Sequence, residues 1–586
     1  MSLAACVRSA GSHSLLIAAS LLLAASSLGA QEWPARQPQS LNGAECIETD
    51  GYQPGKVYDT IIIGAGIAGL SAARELDHLK RSNLVLEAND RIGGRAFSAD
   101  IAGASIDYGG AWLHGIATNP LTPLVDALGF KRIRTNLDVP FYVNGSEADE
   151  PTMKTYEAAL EEFEQSAEMA AEAGQSQRAA GEYACHAMAR IKEHRITTRE
   201  ACAQLKRAGI PCRSYTAAEI SRLCELGTTL PAADDNSESY VVKNRAFADV
   251  FPILIANSGP LESAEELKRT STVDGSAFEA GEDDLIDRSM GEFVKALGEK
   301  TPACLNSPVS RIDFSHDGRV EITVGSRVYT GKTAIVTVSV GVLKKGSIAF
   351  APGLPPDKVA AIKNLQMGNM QKVIVPFTEN VFGHHAPNSW VVYSGDLAAD
   401  EAEFAAKNSL PVVDAVEQGR PVKRIVMAFV LRPLEKNMAI GFFGGEWAKA
   451  LEGQCHGKEH TSGPENACDA MAVAITRTAL ENMFRKEAVD RSMDAPAIHI
   501  TRWSLDPTSY GAYSIAGPRM WIYHQILGQP VADAAGVDRL YFAGEGTARS
   551  IYTGSYPGAY ESGVKAAREI NATLLNVEEK QSAQPH

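Results

Sequence analysis

Hydrophobic and polar positions divide this chain into segments of different period. Val57–Ile63 (VYDTIII) is a β-rich apolar run of the kind a buried strand presents, and Asn83–Leu86 (NLVL) is a shorter one. Between them Leu70–Leu79 (LSAARELDHL) carries helix formers throughout, so strand, turn, helix, strand is predicted. Further on, Tyr156, Leu160, Phe163 and Ala167 recur at helical spacing in a Glu-, Ala-, Lys- and Arg-rich stretch, 150–226, which reads as a helical lobe. Thr197-x-x-Glu200 and Thr216-x-x-Glu219 have the form of capping boxes opening two more helices, and Pro231–Ser239 is a polar break. Residues 351–535 mix helices with strands at Lys372–Phe377, Trp390–Tyr393, Ile425–Val430 and Ala439–Phe443. Val577–His586 reads as a frayed polar tail.

The first thirty residues have another pattern. Arg8 precedes an apolar run, Leu15–Leu28, that ends in small residues. A comfortable membrane span needs ~20 apolar residues, so this run suits a secretory signal peptide, 1–30, cleaved after Ala30 and followed by a linker, 31–56. The alternative is an uncleaved anchor. Cys6 leaves with the signal, and eight cysteines remain: Cys46, Cys185, Cys202, Cys212, Cys224, Cys304, Cys455 and Cys468. An even number in an exported chain permits disulfides, and Cys455 and Cys468, bracketing a polar loop, are the pair expected to bond. His456 and His460 beside Cys455 raise the question of a metal, but no second ligand pair with zinc spacing accompanies them, so none is expected. The expectation is a secreted or periplasmic protein with no stable membrane span in the mature chain.

Composition narrows the class. With 45% hydrophobic and 22% charged residues the 586-residue chain is globular, which excludes disorder, collagen and coiled coil as the main architecture. Its formal charge of −15 disfavours nucleic acid and weakly favours cationic small molecules.

The first chemistry lies between the two short strands. Gly64-Ala65-Gly66-Ile67-Ala68-Gly69 follows the first strand directly and opens the helix, the context a dinucleotide-binding turn requires. Gly64 permits the tight turn, Gly66 lets the backbone approach a pyrophosphate, and Gly69 allows helix and strand to pack closely. The helix N-terminus at Ile67 and Ala68 faces the phosphates. Glu87, at the end of the second strand and followed by Ala88, stands where an acid accepts from adenosine ribose hydroxyls. The bland reading is a tight turn that binds nothing. Arg91-Ile92-Gly93-Gly94-Arg95 then makes a loop able to approach phosphate oxygens, with Arg95 supplying charge-assisted bonds. No second such glycine turn occurs between a strand and a helix, so a separate NAD(P) domain is not expected.

At these residues the chain resembles the flavin-containing amine oxidase superfamily, and its motifs are most similar to those of polyamine oxidases. The resemblance continues in family order. Gly109-Gly110-Ala111-Trp112-Leu113-His114-Gly115 with Asn119-Pro120 looks like the segment passing the flavin ring, and Ser307–Ile312 like the strand whose Val309 reads adenine. Ala334–Val338 with Gly341–Lys344 is similar to the family's VxVPLGVLK, with Ser339-Val340 in place of Pro-Leu. Met367-Gly368 through Lys372 resembles the strand carrying a lysine near flavin N5. Trp503 to Asp506-Pro507, Gly511–Ser514, Tyr541–Gly546 and Gly558–Gly563 are similar to the remaining motifs.

The resemblance implies an α/β, two-domain fold: a Rossmann-like FAD-binding domain (57–115, 281–350 and 536–576) interleaved with a mixed-sheet and helical substrate-binding domain (116–280 and 351–535). It implies FAD held by Gly64, Gly66, Ile67, Ala68, Gly69, Glu87, Ala88, Arg95, Gly110, Ala111, Trp112, Val309, Trp503, Gly544, Glu545, Gly554 and Ser555. Lys372, Tyr513 and His114 are the implied catalytic residues, with Ser555 and Tyr556 added for substrate. Simpler roles stand beside these: His114 as a turn cap, Lys372 as a salt-bridged strand residue, Glu545 as a satisfied acid at a strand end. Trp447 reads as a core aromatic.

Departures from the pattern shape the rest. Monoamine oxidases attach flavin through a cysteine in the place Ala512 occupies, so non-covalent FAD is expected. Two aromatics sandwich the amine in those enzymes. Tyr513 matches one wall and Ser555 falls at the other, leaving the cage half open unless Tyr556 turns in. The implied activity is oxidation of a di- or polyamine, with O2 or another electron acceptor as second substrate. Alternatives are oxidation of another secondary amine, a monoamine or an alkaloid, an L-amino acid oxidase, or a non-catalytic FAD-dependent scaffold.

Overall fold

The computed structural model describes residues 55–137, 141–165, 250–271, 282–316, 318–417, 419–455, 462–548 and 552–582, together with Thr197 and Arg199. The signal peptide, both capping boxes apart from Thr197 and Arg199, the four clustered cysteines, the break at Pro231–Ser239 and the pair His456 and His460 lie outside the described residues.

The expected strand, turn, helix and strand are all present. The strand Val57–Ile63 and the strand Asn83–Leu86 match their predicted bounds, while the helix runs Ile67–His78, starting three residues early because it begins inside the glycine turn. These elements centre a nine-stranded sheet. Val57–Ile63 pairs in parallel with Asn83–Leu86 on one side and Arg327–Val336 on the other. Asp538–Phe542 joins Arg327–Val336 in parallel, and Val309–Asp313, Val320–Val324 and the start of Arg327–Val336 form an antiparallel meander. Strands buried on both faces need near-continuous apolar sequence, which is why Ile61, Ile62, Ala334 and Ile335 are fully buried. Helix Ile67–His78 packs on helix Tyr556–Ser582, and a Cβ at Gly563 would sit 2.1 Å from the Ala68 carbonyl oxygen.

That last helix corrects one expectation. Residues 577–582 are helical rather than a frayed tail. Ile570 and Leu574 anchor the helix in the core, and Arg81 binds both Asn571 (2.8 Å) and Glu578 (2.6 Å), so a second element holds the polar end. Helices Pro356–Asn364 and Ile522–Leu527, expected in the substrate domain, pack through Ala361, Ile522 and Ile526 into the core of the first sheet.

A second nine-stranded sheet is mostly antiparallel. Met370–Pro376, Ser389–Asp396, Arg420–Leu431 and Met438–Gly444 contain the four predicted strands. Alternation decides what each residue meets: Val373, Val375, Val391 and Phe443 fill one side with helices Gly445–Gly453 and Ala470–Met483, whereas Met370, Lys372, Trp390, Val392 and Phe442 line a large cavity on the other. A one-residue slip would exchange the two sets, so burial of the apolar face fixes the register Lys372 opposite Phe442. Trp447 is core, as expected, with its indole N–H donating to the Pro411 carbonyl at 2.8 Å. The disulfide Cys455–Cys468 is formed, with Cα atoms 5.1 Å apart. Among the described residues no helix is long and apolar enough to cross a membrane.

Candidate active site

The cavity, of about 1770 Å³, reaches from the glycine turn to the helical lobe. Pockets for one drug-sized ligand are roughly 300–1,000 Å³, so this volume exceeds what a single small molecule needs. Every residue expected at the site lines it except Gly69. A Cβ at Gly69 would lie 1.9 Å from the Gly64 carbonyl oxygen, so Gly69 serves helix–strand packing alone.

At one end the loop is shaped for an anion. Gly64 has φ +106°, which a side chain resists, and a Cβ at Gly66 would meet nothing within 4 Å, leaving open space above the turn. Helix Ile67–His78 has no side-chain cap and no acid in its first turn, so its leading N–H groups remain available to phosphate oxygens. Glu87 accepts from the Ala65 N–H at 2.7 Å and the Asn89 N–H at 2.9 Å, which ties the second strand to the turn. Burial pushes its carboxyl above the usual range. Arg95 lines the cavity, where its Nη1 pairs with Glu545 at 2.7 Å and donates to the Ala512 carbonyl at 2.9 Å. Burial opposes the Glu545 charge, yet Arg95 and Ser514 hold its carboxyl below the usual range.

The middle of the cavity is built on Lys372. Its ammonium donates to the carbonyls of Asp107 (3.0 Å) and Gly109 (2.5 Å), tying the second sheet to the Gly109–Gly115 segment. Burial lowers its pKa to about 8, against the pull of Asp107. Burial likewise raises Asp107 to about 6, although Lys372 and the Met290 and Gly291 N–H groups favour its charged form. Trp503 is buried and donates to the Tyr108 carbonyl at 3.1 Å. Tyr556 lines the cavity, and its hydroxyl donates to the Gly110 carbonyl at 2.9 Å. The Ser555 hydroxyl donates to the Tyr552 carbonyl at 2.7 Å, at the start of helix Tyr556–Ser582. Tyr513 lines the cavity as well, its hydroxyl donating to the Glu262 carbonyl.

The far end is acidic, a feature the sequence reading missed. Helix Phe251–Ala256 runs into a π-helical turn, Asn257–Leu261, with Pro260 inside it, and this widened turn delivers Glu262 to the cavity. Asn257 donates to the Glu262 carboxylate at 2.9 Å. Glu262 is open to the cavity but ringed by protein, and its pKa is pushed up to about 7 by burial and by Glu164 and Asp283. Glu150, Glu157 and Glu164 line the same end from the helix over 150–165. Their seven-residue spacing puts them on one helical face beside Met153, Tyr156 and Phe163, a signal that was present in the sequence. His114 bonds Asp283 through Nδ1 at 2.8 Å and stacks on Trp112, with ring centroids 6.4 Å apart. Burial opposes the Asp283 charge, but the His114 bond holds its carboxyl below the usual range.

A glycine turn feeding an uncapped helix, a carboxylate closing the next strand, and a deep cavity floored by a second sheet define a dinucleotide-dependent enzyme with its substrate site joined to the cofactor cleft. The chain belongs to the flavin-containing amine oxidoreductases, whose family model matches residues 67–571. It is similar to polyamine oxidase 4 of Oryza sativa subsp. japonica, with 26% identity over 563 residues covering 92% of this chain and 94% of that one. Polyamine oxidase 2 of Arabidopsis thaliana is 26% identical over 560 residues, 92% of this chain and 93% of the relative. Lysine-specific histone demethylase 1 homolog 1 of Arabidopsis thaliana is 28% identical over 536 residues, 89% of this chain but 52% of that protein. Among solved structures, wild-type putrescine oxidase bound to putrescine shares the fold, with a TM-score of 0.59 and 16% identity over 88% of this chain and 99% of that one. The protein is therefore an FAD-dependent amine oxidoreductase of two-domain α/β architecture. The open space at Gly66 and the uncapped helix fit the pyrophosphate of that cofactor.

Proposed function

We propose that this enzyme oxidises a C–N bond of a di- or polyamine, using O2 as the final acceptor. The carrying observation is the charge of the cavity's far end. Glu150, Glu157, Glu164, Glu262 and Asp283 line it, and the only lysine or arginine among the described lining residues are Lys372 and Arg95, both bonded elsewhere. Such a wall attracts a molecule with ammonium groups at more than one position.

FAD, when bound, accepts the hydride from the carbon beside the amine nitrogen. The protein must hold that C–H bond about 3–3.5 Å from its acceptor and keep water from the reacting face. Tyr513, Trp503 and Phe442 supply apolar surface for this, which also favours loss of a proton from the reacting nitrogen by desolvating its charged form. Glu262 and the acids beyond it hold a distal ammonium, fixing which carbon is presented. The resulting imine is hydrolysed by water to a carbonyl compound and an amine, and two electrons and two protons pass to O2 to give H2O2. Lys372, which lines the cavity between the two sheets, is the group this reading assigns to the oxygen step. An amine panel under anaerobic conditions tests the substrate: spermidine or putrescine should bleach the flavin faster than benzylamine, phenylethylamine or an amino acid. Fast bleaching by an aryl or alkaloid amine, with none by spermidine, would sink the reading.

The cofactor reading is non-covalent, because Ala512 offers no thiol at the attachment position. Acid denaturation should release all flavin to the supernatant, and flavin retained by the polypeptide would refute this. Glu87→Ala should weaken FAD binding about ten- to a hundred-fold, from the ~1.5–3 kcal/mol of a charge-assisted bond, as measured by fluorescence of released flavin on dilution.

The mature chain, in this proposal, begins near Gln31 and is exported. The Cys455–Cys468 disulfide supports that compartment. Intact-mass analysis of natively produced protein, with and without reductant, checks both points; an N-terminus at Met1 together with nine alkylatable thiols speaks against export.

A further inference from the structure

Outside the cavity, two segments distant in sequence bring three metal-ligating side chains together. Strands Tyr142–Val143 and Ser146–Glu147 form a hairpin on the edge of the second sheet, and Glu147 ends it. The turn before strand Ser389–Asp396 carries His384 and His385. His384 Nε2 lies 3.2 Å from Glu147 Oε1, and His385 Nε2 lies 3.8 Å from the same oxygen. The ligand atoms of all three lie within 4.8 Å of one another. The two imidazoles stack, with centroids 4.7 Å and planes 26° apart, so neighbouring rings direct the same nitrogen at one carboxylate.

We propose that Glu147, His384 and His385 bind one divalent transition-metal ion of the zinc or copper(II) class, with water completing its coordination. Zn–N and Zn–O bonds of about 2.0–2.2 Å at tetrahedral angles put ligand atoms about 3.3–3.6 Å apart. The two separations to Glu147 bracket that range, so small rotations of exposed side chains close the site. Two imidazoles and one carboxylate suit zinc or copper(II) over calcium or magnesium, which take all-oxygen sets. His385 is 4% exposed, set against Phe484 and Tyr142, and acts as the fixed ligand. His384 and Glu147 are exposed, which leaves a path for the ion from solvent. Tyr142 completes the arrangement: its hydroxyl is 2.8 Å from Glu147 Oε1 and 2.7 Å from His385 Nε2. Donation to the carboxylate orients that ligand, as outer-shell partners do; His385 Nε2 then donates to the Tyr142 oxygen, and the ion displaces that proton on binding.

None of the three lines the cavity, so the site is separate from the reaction. It is nevertheless connected to it. Ala148, Glu150 and Met153 follow Glu147 directly and line the acidic end. A bound ion ties the base of that wall to the second sheet.

The test uses tag-free holoenzyme, stripped with EDTA and dialysed, then titrated with ZnCl2 in a calorimeter. One zinc should bind per chain, and His384→Ala and Glu147→Gln should each weaken it about ten-fold or more. Both positions are exposed, so far-UV circular dichroism and flavin content should match wild type. His316→Ala is the control, because His316 lies 3.9 Å from Asp313 and 3.4 Å from Glu321 without a second histidine. Its binding should equal wild type. Zinc should raise the Tm of the wild type and not of the two ligand variants. No binding to wild type would mean a surface ion pair only and would overturn the site. Undiminished binding by His384→Ala, or equal loss in His316→Ala, would overturn it as well.

Discussion

Glu262→Gln should raise KM for putrescine or spermidine about ten- to a hundred-fold while changing the limiting rate of flavin reduction little. The size follows from losing a charged partner for an ammonium group, worth ~1.5–3 kcal/mol. Glutamine keeps the shape and the bond from Asn257, so the variant isolates the charge. The pH dependence gives a second readout. Burial, with Glu164 and Asp283, pushes the Glu262 carboxyl up to about 7. Only the ionised form attracts an ammonium, so wild-type KM should fall as pH rises through about 7, and that step should vanish in the variant. Benzylamine, with no distal ammonium, should show neither effect. Equal KM values for wild type and variant across pH 6–8.5 would remove Glu262 from substrate recognition.

Lys372→Met should slow reoxidation of reduced flavin by O2 about a hundred-fold, the usual consequence of removing one preorganised polar group from a buried site. Flavin reduction by substrate should change far less, and stopped-flow measurement separates the two half-reactions. Burial lowers the Lys372 pKa to about 8, so its charge is present below that pH and lost above it. The wild-type rate constant with O2 should therefore fall as pH rises through about 8, while the methionine variant stays low and flat. The substitution leaves the Asp107 and Gly109 carbonyls without this donor, so flavin content and Tm must be checked alongside. If both half-reactions are unaffected, Lys372 only ties the second sheet to the Gly109–Gly115 segment.

Much of the cofactor end was legible because its requirements are local. Gly64, Gly66 and Gly69 act within one turn, and Glu87 reaches that turn from the next strand. The strands around Lys372 and Phe442 were legible for the same reason, since alternation over a few residues states which face is buried. The Cys455–Cys468 pair needed only a short loop between its members. Where the reading failed, the deciding contact came from far along the chain. Residues 577–582 look like a tail until Arg81 is found beside Glu578. Glu150, Glu157 and Glu164 showed a shared face by spacing, but their own sequence could not tell a solvated face from a cavity wall.

The sequence by itself determined the family, the cofactor and the order of elements, because these rest on short motifs whose chemistry needs few neighbours. The tertiary structure alone decided which polar and charged groups meet. His114 with Asp283, Tyr513 with Glu262, and Glu147 with His384 and His385 are each separated by more than a hundred residues of chain. A pKa or a ligand set depends on distances through space over a few ångströms, and only the folded packing of the two sheets fixes those distances.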